Sequence, residues 1–118
     1  MNSTNQKSKF NFHEIKNKDI ALICKEAINS CYGIVEIEKI SSKLNIPPLT
    51  NNMIKVVDGI EIKRFIDGTF SVTLNLVIAQ NAKISEILVE TQKTVLYKLN
   101  KAFHSACKEV NLYAVRLA

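Results

Sequence analysis

The stretch that decides the fold runs Ile60-Glu61-Ile62-Lys63-Arg64-Phe65-Ile66-Asp67-Gly68-Thr69-Phe70-Ser71-Val72-Thr73-Leu74-Asn75-Leu76-Val77-Ile78. Ile60 and Ile62 alternate with Glu61 and Lys63, and Phe70, Val72, Leu74, Leu76 and Ile78 alternate with Ser71, Thr73 and Asn75. This period of two marks strands with one buried face. Asp67-Gly68 lies between the two rows, and the loop length fixes their register. A two-residue Asp-Gly loop would set Ile62 against Thr73 and put the two apolar rows on opposite faces. A three-residue loop, Ile66 to Gly68 with Gly68 left-handed, sets Ile62 against Val72 and Ile60 against Leu74 and buries both rows together. The hairpin is therefore predicted in the second register.

On either side the period changes to that of a helix. Ile20, Ile23, Cys24, Ala27, Ile28 and Cys31 form one apolar stripe, predicting a helix from about Lys18 to Tyr32. Asn17 or Asp19 is the candidate N-cap, and Gly33 suits the left-handed C-terminal position. A second stripe, Leu88, Thr91, Val95, Leu99, Ala102, Phe103 and Ala106, predicts a long helix from Ser85 to about Ala106. Ile34 to Ile40 reads as a half-buried strand with Val35 and Ile37 inward and Glu36 and Glu38 solvated. Val110 to Leu117 reads as a closing strand, and Phe10 to Ile15 as a short edge strand. Met53 to Val57 fits either a helical turn or a lead-in strand, and Ser41 to Asn52, with Pro47-Pro48, reads as a loop.

These elements predict an α+β fold of order α-β-β-β-α-β. The second hairpin strand, the long helix and the last strand form a right-handed crossover, which places the last strand parallel to its partner in the same sheet. Both helices then pack on one face of a small mixed β-sheet, a two-layer sandwich. Residues 1–9 are polar and basic and are expected to be a disordered tail, with residues 10–118 as a single domain. The hairpin register leaves Lys63, Phe65, Ser71, Thr73, Asn75 and Val77 on the face that no helix covers. That face is the candidate protein-binding surface.

The chain carries little catalytic chemistry. It has 118 residues, a net charge of +5, three cysteines, two histidines and three glycines. Glycines at 33, 59 and 68 are too dispersed for a phosphate-cradling loop or the G-x-x-G clamp of a KH domain. Cys24 and Cys31 lie two helical turns apart, too far for a disulfide, and no Cys/His spacing suits zinc. Cys24 and Cys31 are read as small core hydrophobes, and His13 and His104 as structural or surface residues. No catalytic, cofactor-binding or metal-binding residue is assigned, and an enzyme is not expected. The positive charge raises nucleic-acid binding as the alternative. Against it, only Arg64 and Arg116 are arginine, the residue best suited to bidentate phosphate and base contacts. An odd cysteine count and the lack of an apolar leader point to a reducing, cytoplasmic location, and no apolar run is long enough for a membrane span. The oligomeric state stays open, a homo-oligomer included.

The ordered set of motifs resembles the alkaline shock protein family of Gram-positive bacteria and relatives, also called the envelope stress response or general stress family. The resemblance rests on Ile20 to Cys24 with Ser30-Cys31-Tyr32-Gly33-Ile34-Val35, on Gly59-Ile60-Glu61-Ile62, on Val72 to Ile78, on Lys83-Ile84-Ser85-Glu86-Ile87 and on Val110 to Arg116. It covers about Glu14 to Leu117. The chain departs from the pattern at Gln80-Asn81-Ala82, where members carry Tyr-Gly, and at Ala106-Cys107-Lys108, where they carry Thr-Gly, and so reads as a divergent member. The resemblance implies a non-enzymatic protein-binding adaptor linked to cell-envelope homeostasis. It also implies a membrane-anchored partner or a dihydroxyacetone-kinase-like fatty acid kinase, and a peripheral position at the inner face of the membrane.

Overall fold

The computed structural model describes residues 14–39 and 54–118. Its elements are α1 (Asn17–Asn29), β1 (Ile34–Ile37), β2 (Ile54–Val57), β3 (Ile60–Arg64), β4 (Phe70–Ile78), α2 (Ile84–Ala102) and β5 (Cys107–Leu117). The expected order stands, with Ile54–Val57 resolved as an additional strand. The expected tail, the Ser41–Asn52 loop and His13 lie outside the described residues. Of the Phe10–Ile15 reading, only Glu14 and Ile15 are described; neither is in a strand, and Ile15 is buried in the core.

The sheet is built around β4. β5 pairs with it in parallel from Phe70–Cys107 to Ile78–Leu117, as the crossover requires. The other edge of β4 is shared end to end by two antiparallel strands. β3 takes Phe70 to Thr73, and β1 takes Leu76 to Ile78. The hairpin has the expected three-residue register. Ile62 faces Val72, Phe65 N–H donates to Thr69 O at 2.9 Å, and Gly68 has φ +93°. β2 flanks β3 through a two-residue turn, Asp58-Gly59, with φ of 53° and 84°. Positive φ at both positions gives the turn the twist that antiparallel neighbours need. Lys25 of α1 ties this turn down through Asp58 at 2.7 Å, and the hydrogen bond and charge of Lys25 hold that carboxyl below its usual range.

The inner face buries Ile60, Ile62, Phe70, Val72, Leu74, Leu76 and Ile78 against Ile20, Cys24, Ala27 and Ile28 of α1 and Ile87, Thr91, Val95 and Leu99 of α2. Phe103 closes one end, its ring edge-on to Phe70 with centroids 5.9 Å apart. Burial of this contiguous apolar set is the main favourable term in folding.

Both helices end earlier than their stripes suggest. In α1, Ser30 Oγ and Cys31 Sγ turn back to Ala27 O at 2.7 and 3.2 Å, terminating the helix at Asn29. Its N-cap is Lys16, with no side-chain cap, because Asn17 Oδ1 accepts a hydrogen bond from Arg64 Nη1 at 2.8 Å instead. In α2, His104 and Ser105 are left-handed, and Asn100 takes over the fraying end. Its carbonyl accepts Ser105 N–H and its Oδ1 accepts Cys107 N–H, which starts β5 three residues earlier than expected. β1 is also shorter than its pattern. A bulge at Val35 turns that residue outward, so Ile34 and Ile37, not Val35, pack on the core.

Candidate functional site

Among the described residues no helix covers the outer face of the sheet, and its side chains stand in rows fixed by strand register. One row runs Ile54, Lys63, Ser71, Glu109; the next runs Val56, Glu61, Thr73, Asn111. Neighbours in a row sit about 4.8 Å apart, close enough for direct polar contact. Lys63, Phe65, Ser71 and Thr73 of the expected face come together around a hollow of about 180 Å³, completed by Ile54, Glu61, Glu109 and Asn111. Ser71 is nearly inaccessible beneath it. Asn111 Nδ2 lies 3.5 Å from Thr73 Oγ1, bridging β5 to β4.

Phe65 closes one end of this face. Lys63 Nζ and Lys108 Nζ stand 5.4 and 4.7 Å from its ring centroid. Cations placed so are attracted by the negative face of the ring. Lys108 also reaches Asp67 at 3.7 Å, and Asp67 accepts hydrogen bonds from both the hydroxyl and the N–H of Thr69. Those Thr69 bonds, more than Lys108, hold the Asp67 carboxyl below its usual range.

The other two expected residues lie differently. Asn75 is half-buried, and its carbonyl accepts Glu38 N–H at 2.7 Å. Val77 is fully buried and offers nothing to a partner. Glu36, Val77 and Arg116 are in register across β1, β4 and β5. Arg116 Nη2 crosses Val77 to reach Glu36 at 3.2 Å and Glu38 at 2.9 Å. The candidate face therefore ends at Asn75, and beyond it a salt-bridge clasp closes the sheet. The Glu38 hydrogen bond and charge, with a smaller part from Glu36, raise the Arg116 guanidinium pKa. Glu36 is exposed, as expected, and Glu38 partly covered, and the structure gives both a partner in Arg116. Their partner lies about eighty residues away and reaches them only because β5 and β1 flank the same strand.

Sequence reasoning also missed a hollow of about 290 Å³ between the end of α1 and the start of α2, lined by Cys31, Tyr32, Glu86, Ile87, Glu90 and Thr91 among others. Its signal was present in Tyr32, which is exposed beside Gly33. The three cysteines are free. Cys24 and Cys107 are buried as small hydrophobes, whereas Cys31 is only partly covered. Among the described residues, no three His, Cys, Asp or Glu side chains converge as a metal would require. No described helix is long and apolar enough to cross a membrane. Set against known protein families, curated proteins and solved structures, the chain has no significant match in any of the three.

Proposed function

We propose that this chain is a non-enzymatic adaptor that docks a protein partner on the outer face of its sheet. The observation that carries the reading is the hollow at Lys63, Phe65, Ser71 and Thr73. Its side chains project from fixed strands, offer hydroxyl and amide groups, and present both signs of charge beside an aromatic ring. Such a surface meets a polar partner with little ordering cost, and mixed charges favour specificity over non-selective attraction to phosphate. The resemblance to the envelope stress response family supplies the context: a cytoplasmic protein, peripheral at the inner face of the membrane, serving cell-envelope homeostasis. On that reading the partner is a membrane-anchored protein or a dihydroxyacetone-kinase-like fatty acid kinase.

The test compares wild type with a Lys63→Glu/Phe65→Ala variant in capture from native cells, followed by direct titration of the purified captured protein. Loss of binding with the melting temperature held within about 3 °C is expected, since surface substitutions usually change stability little. Undiminished binding by the folded variant refutes the assignment. Nucleic-acid binding is the other outcome: affinity for generic RNA that falls steeply with added salt would replace the adaptor reading.

A further inference from the structure

Among the described residues β5 has β4 on one edge and no strand on the other. The direction of its peptide groups can be followed along the strand. Ala106 O accepts Phe70 N–H and so faces β4. A bulge between Cys107 and Glu109 then shifts the alternation by one. Groups at 109, 111 and 113 face β4, and those at Val110, Leu112 and Ala114 face away. Gln92 agrees with this, because its Nε2 donates to Val110 O at 2.7 Å from α2. A second bulge at Val115 makes Arg116 the residue in register with Val77.

We propose that β5 pairs antiparallel with β5 of a second copy about a two-fold axis at Leu112, joining two sheets into one. Opposed residues in such a pair must share a face. With the axis at Leu112, Leu112 meets its own copy, Asn111 meets Tyr113, Val110 meets Ala114, and Glu109 meets Arg116. The last pair brings opposite charges together at both ends of the join. Glu109 has no ion-pair partner of its own among the described residues, so it extends the Arg116 clasp across the junction. Moving the axis to Ala114 sets Leu112 against Leu117 and leaves Glu109 outside the pairing. Moving it to Val110 centres the join on the carbonyl that Gln92 already occupies. At Leu112 that carbonyl keeps a second lone pair for the partner.

The side chains at the join are those of an unfinished surface. Tyr113 is 56% exposed and Leu117 47%, and Val89, one turn before Gln92 on the same face of α2, is 50% exposed. A long edge strand with apolar side chains is a template for another strand. The seven paired positions on each strand span roughly 20 Å at the usual strand rise. A join of this length falls at the low end for specific contacts, below about 1,200 Å², the class of weak and reversible encounters, and a dissociation constant between about 1 μM and about 1 mM is the range to search. The pairing engages the outer hollow only at its β5 rim, Glu109 and Asn111, leaves its Lys63 and Phe65 side uncovered in both copies, and does not depend on the adaptor reading.

Sedimentation equilibrium of the full chain from about 1 μM to about 1 mM brackets that constant. It is run on wild type and on Ala114→Pro. Proline there removes an outward N–H, spares the bonds to β4, and is tolerated on an edge strand. We expect a wild-type dimer, and at least a tenfold weaker one for Ala114→Pro with its circular dichroism unchanged. Amide exchange of wild type alone gives a readout independent of the variant: protection at Leu112 and Ala114 rises with concentration, while that at the β2 edge does not. A monomer throughout, an undiminished dimer in folded Ala114→Pro, or concentration-independent exchange at Leu112 and Ala114 each overturns the proposal.

Discussion

Replacing Gly33 by alanine tests how α1 is joined to β1. Gly33 has φ +88°, a conformation that disfavours any residue with a Cβ by about 1–2 kcal/mol. The new methyl would also strike Ile87 at the start of α2: it falls within contact of Cδ1 and only 3.0 Å from Cγ1. Ile87 is 7% exposed, and its Cγ2 lies 3.6 Å away on the same side, so turning the side chain's tip does not clear the space. Overpacking of this kind costs about 1–3 kcal/mol. The two effects together predict a loss of about 2–5 kcal/mol, or roughly 8–20 °C in melting temperature for a domain of this size. The assay is a thermodynamic cycle by urea denaturation with Ile87→Val, which removes Cδ1. On wild type, Ile87→Val should cost about 0.5–1.5 kcal/mol. On Gly33→Ala it should cost less or restore stability, because it relieves the overlap. Equal cost in both backgrounds would refute the packing half of the argument and leave backbone strain alone.

Three further outcomes follow from buried and partly buried polar groups. Burial pushes the Cys24 thiol up to about 12, with a smaller contribution from Cys107, and burial likewise raises Cys107 to about 12. Below the ordinary thiol value of 9.0 both stay protonated whether folded or not, so their contribution is fully present. Above it the unfolded chain ionises first, and stability falls as pH rises toward 12. A denaturation series across alkaline pH should show that slope, reduced in Cys24→Ala. A thiol reagent should label Cys31 alone in the native protein and all three cysteines after unfolding; native labelling of Cys24 would contradict its burial. Arg64→Met keeps the aliphatic stem and removes the bonds from Nη1 to Ile15 O at 3.0 Å and Asn17 Oδ1 at 2.8 Å. A loss of about 1.5–3 kcal/mol in chemical denaturation is expected, and one below about 0.5 kcal/mol would show that these bonds do not secure the entry to α1.

The readable parts of the sequence were those where one local pattern admits one buried face. Residues 60–78 are the example: only one loop length puts Ile62 and Val72 on the same side, and that register is the observed one. β2 was half legible: Met53 to Val57 fits either a helical turn or a lead-in strand, and the structure shows the strand. Asp58-Gly59 is a strong two-residue turn signal, and Ile54 to Val57 precedes it at the spacing a hairpin needs. The Arg116 clasp was not legible. Glu36 and Glu38 alternate with apolar residues just as a solvated strand face does, and only the placement of β1 and β5 on opposite sides of β4 gives them a partner. That same placement removed Val77 from the candidate face while leaving Lys63, Phe65, Ser71 and Thr73 gathered. Helix ends were misjudged for a related reason. Ser30 and Asn100 stop their helices through side-chain bonds, while the apolar stripe runs on into the turn.

β1 and β3 lie end to end along one edge of β4, and this makes the chain between them an excursion. Gly59 comes back so close to its departure point that an added Cβ would stand 3.0 Å from Lys39 Cα and 3.2 Å from Glu38 O. Two ends that already meet impose little demand on the length of what joins them, since closure entropy grows only logarithmically with the number of residues. In engineering terms the junction is a port. Residues inserted after Lys39, a tag or a foreign recognition loop among them, lengthen a closure whose described ends already meet, at about 0.6 kcal/mol per doubling of its length.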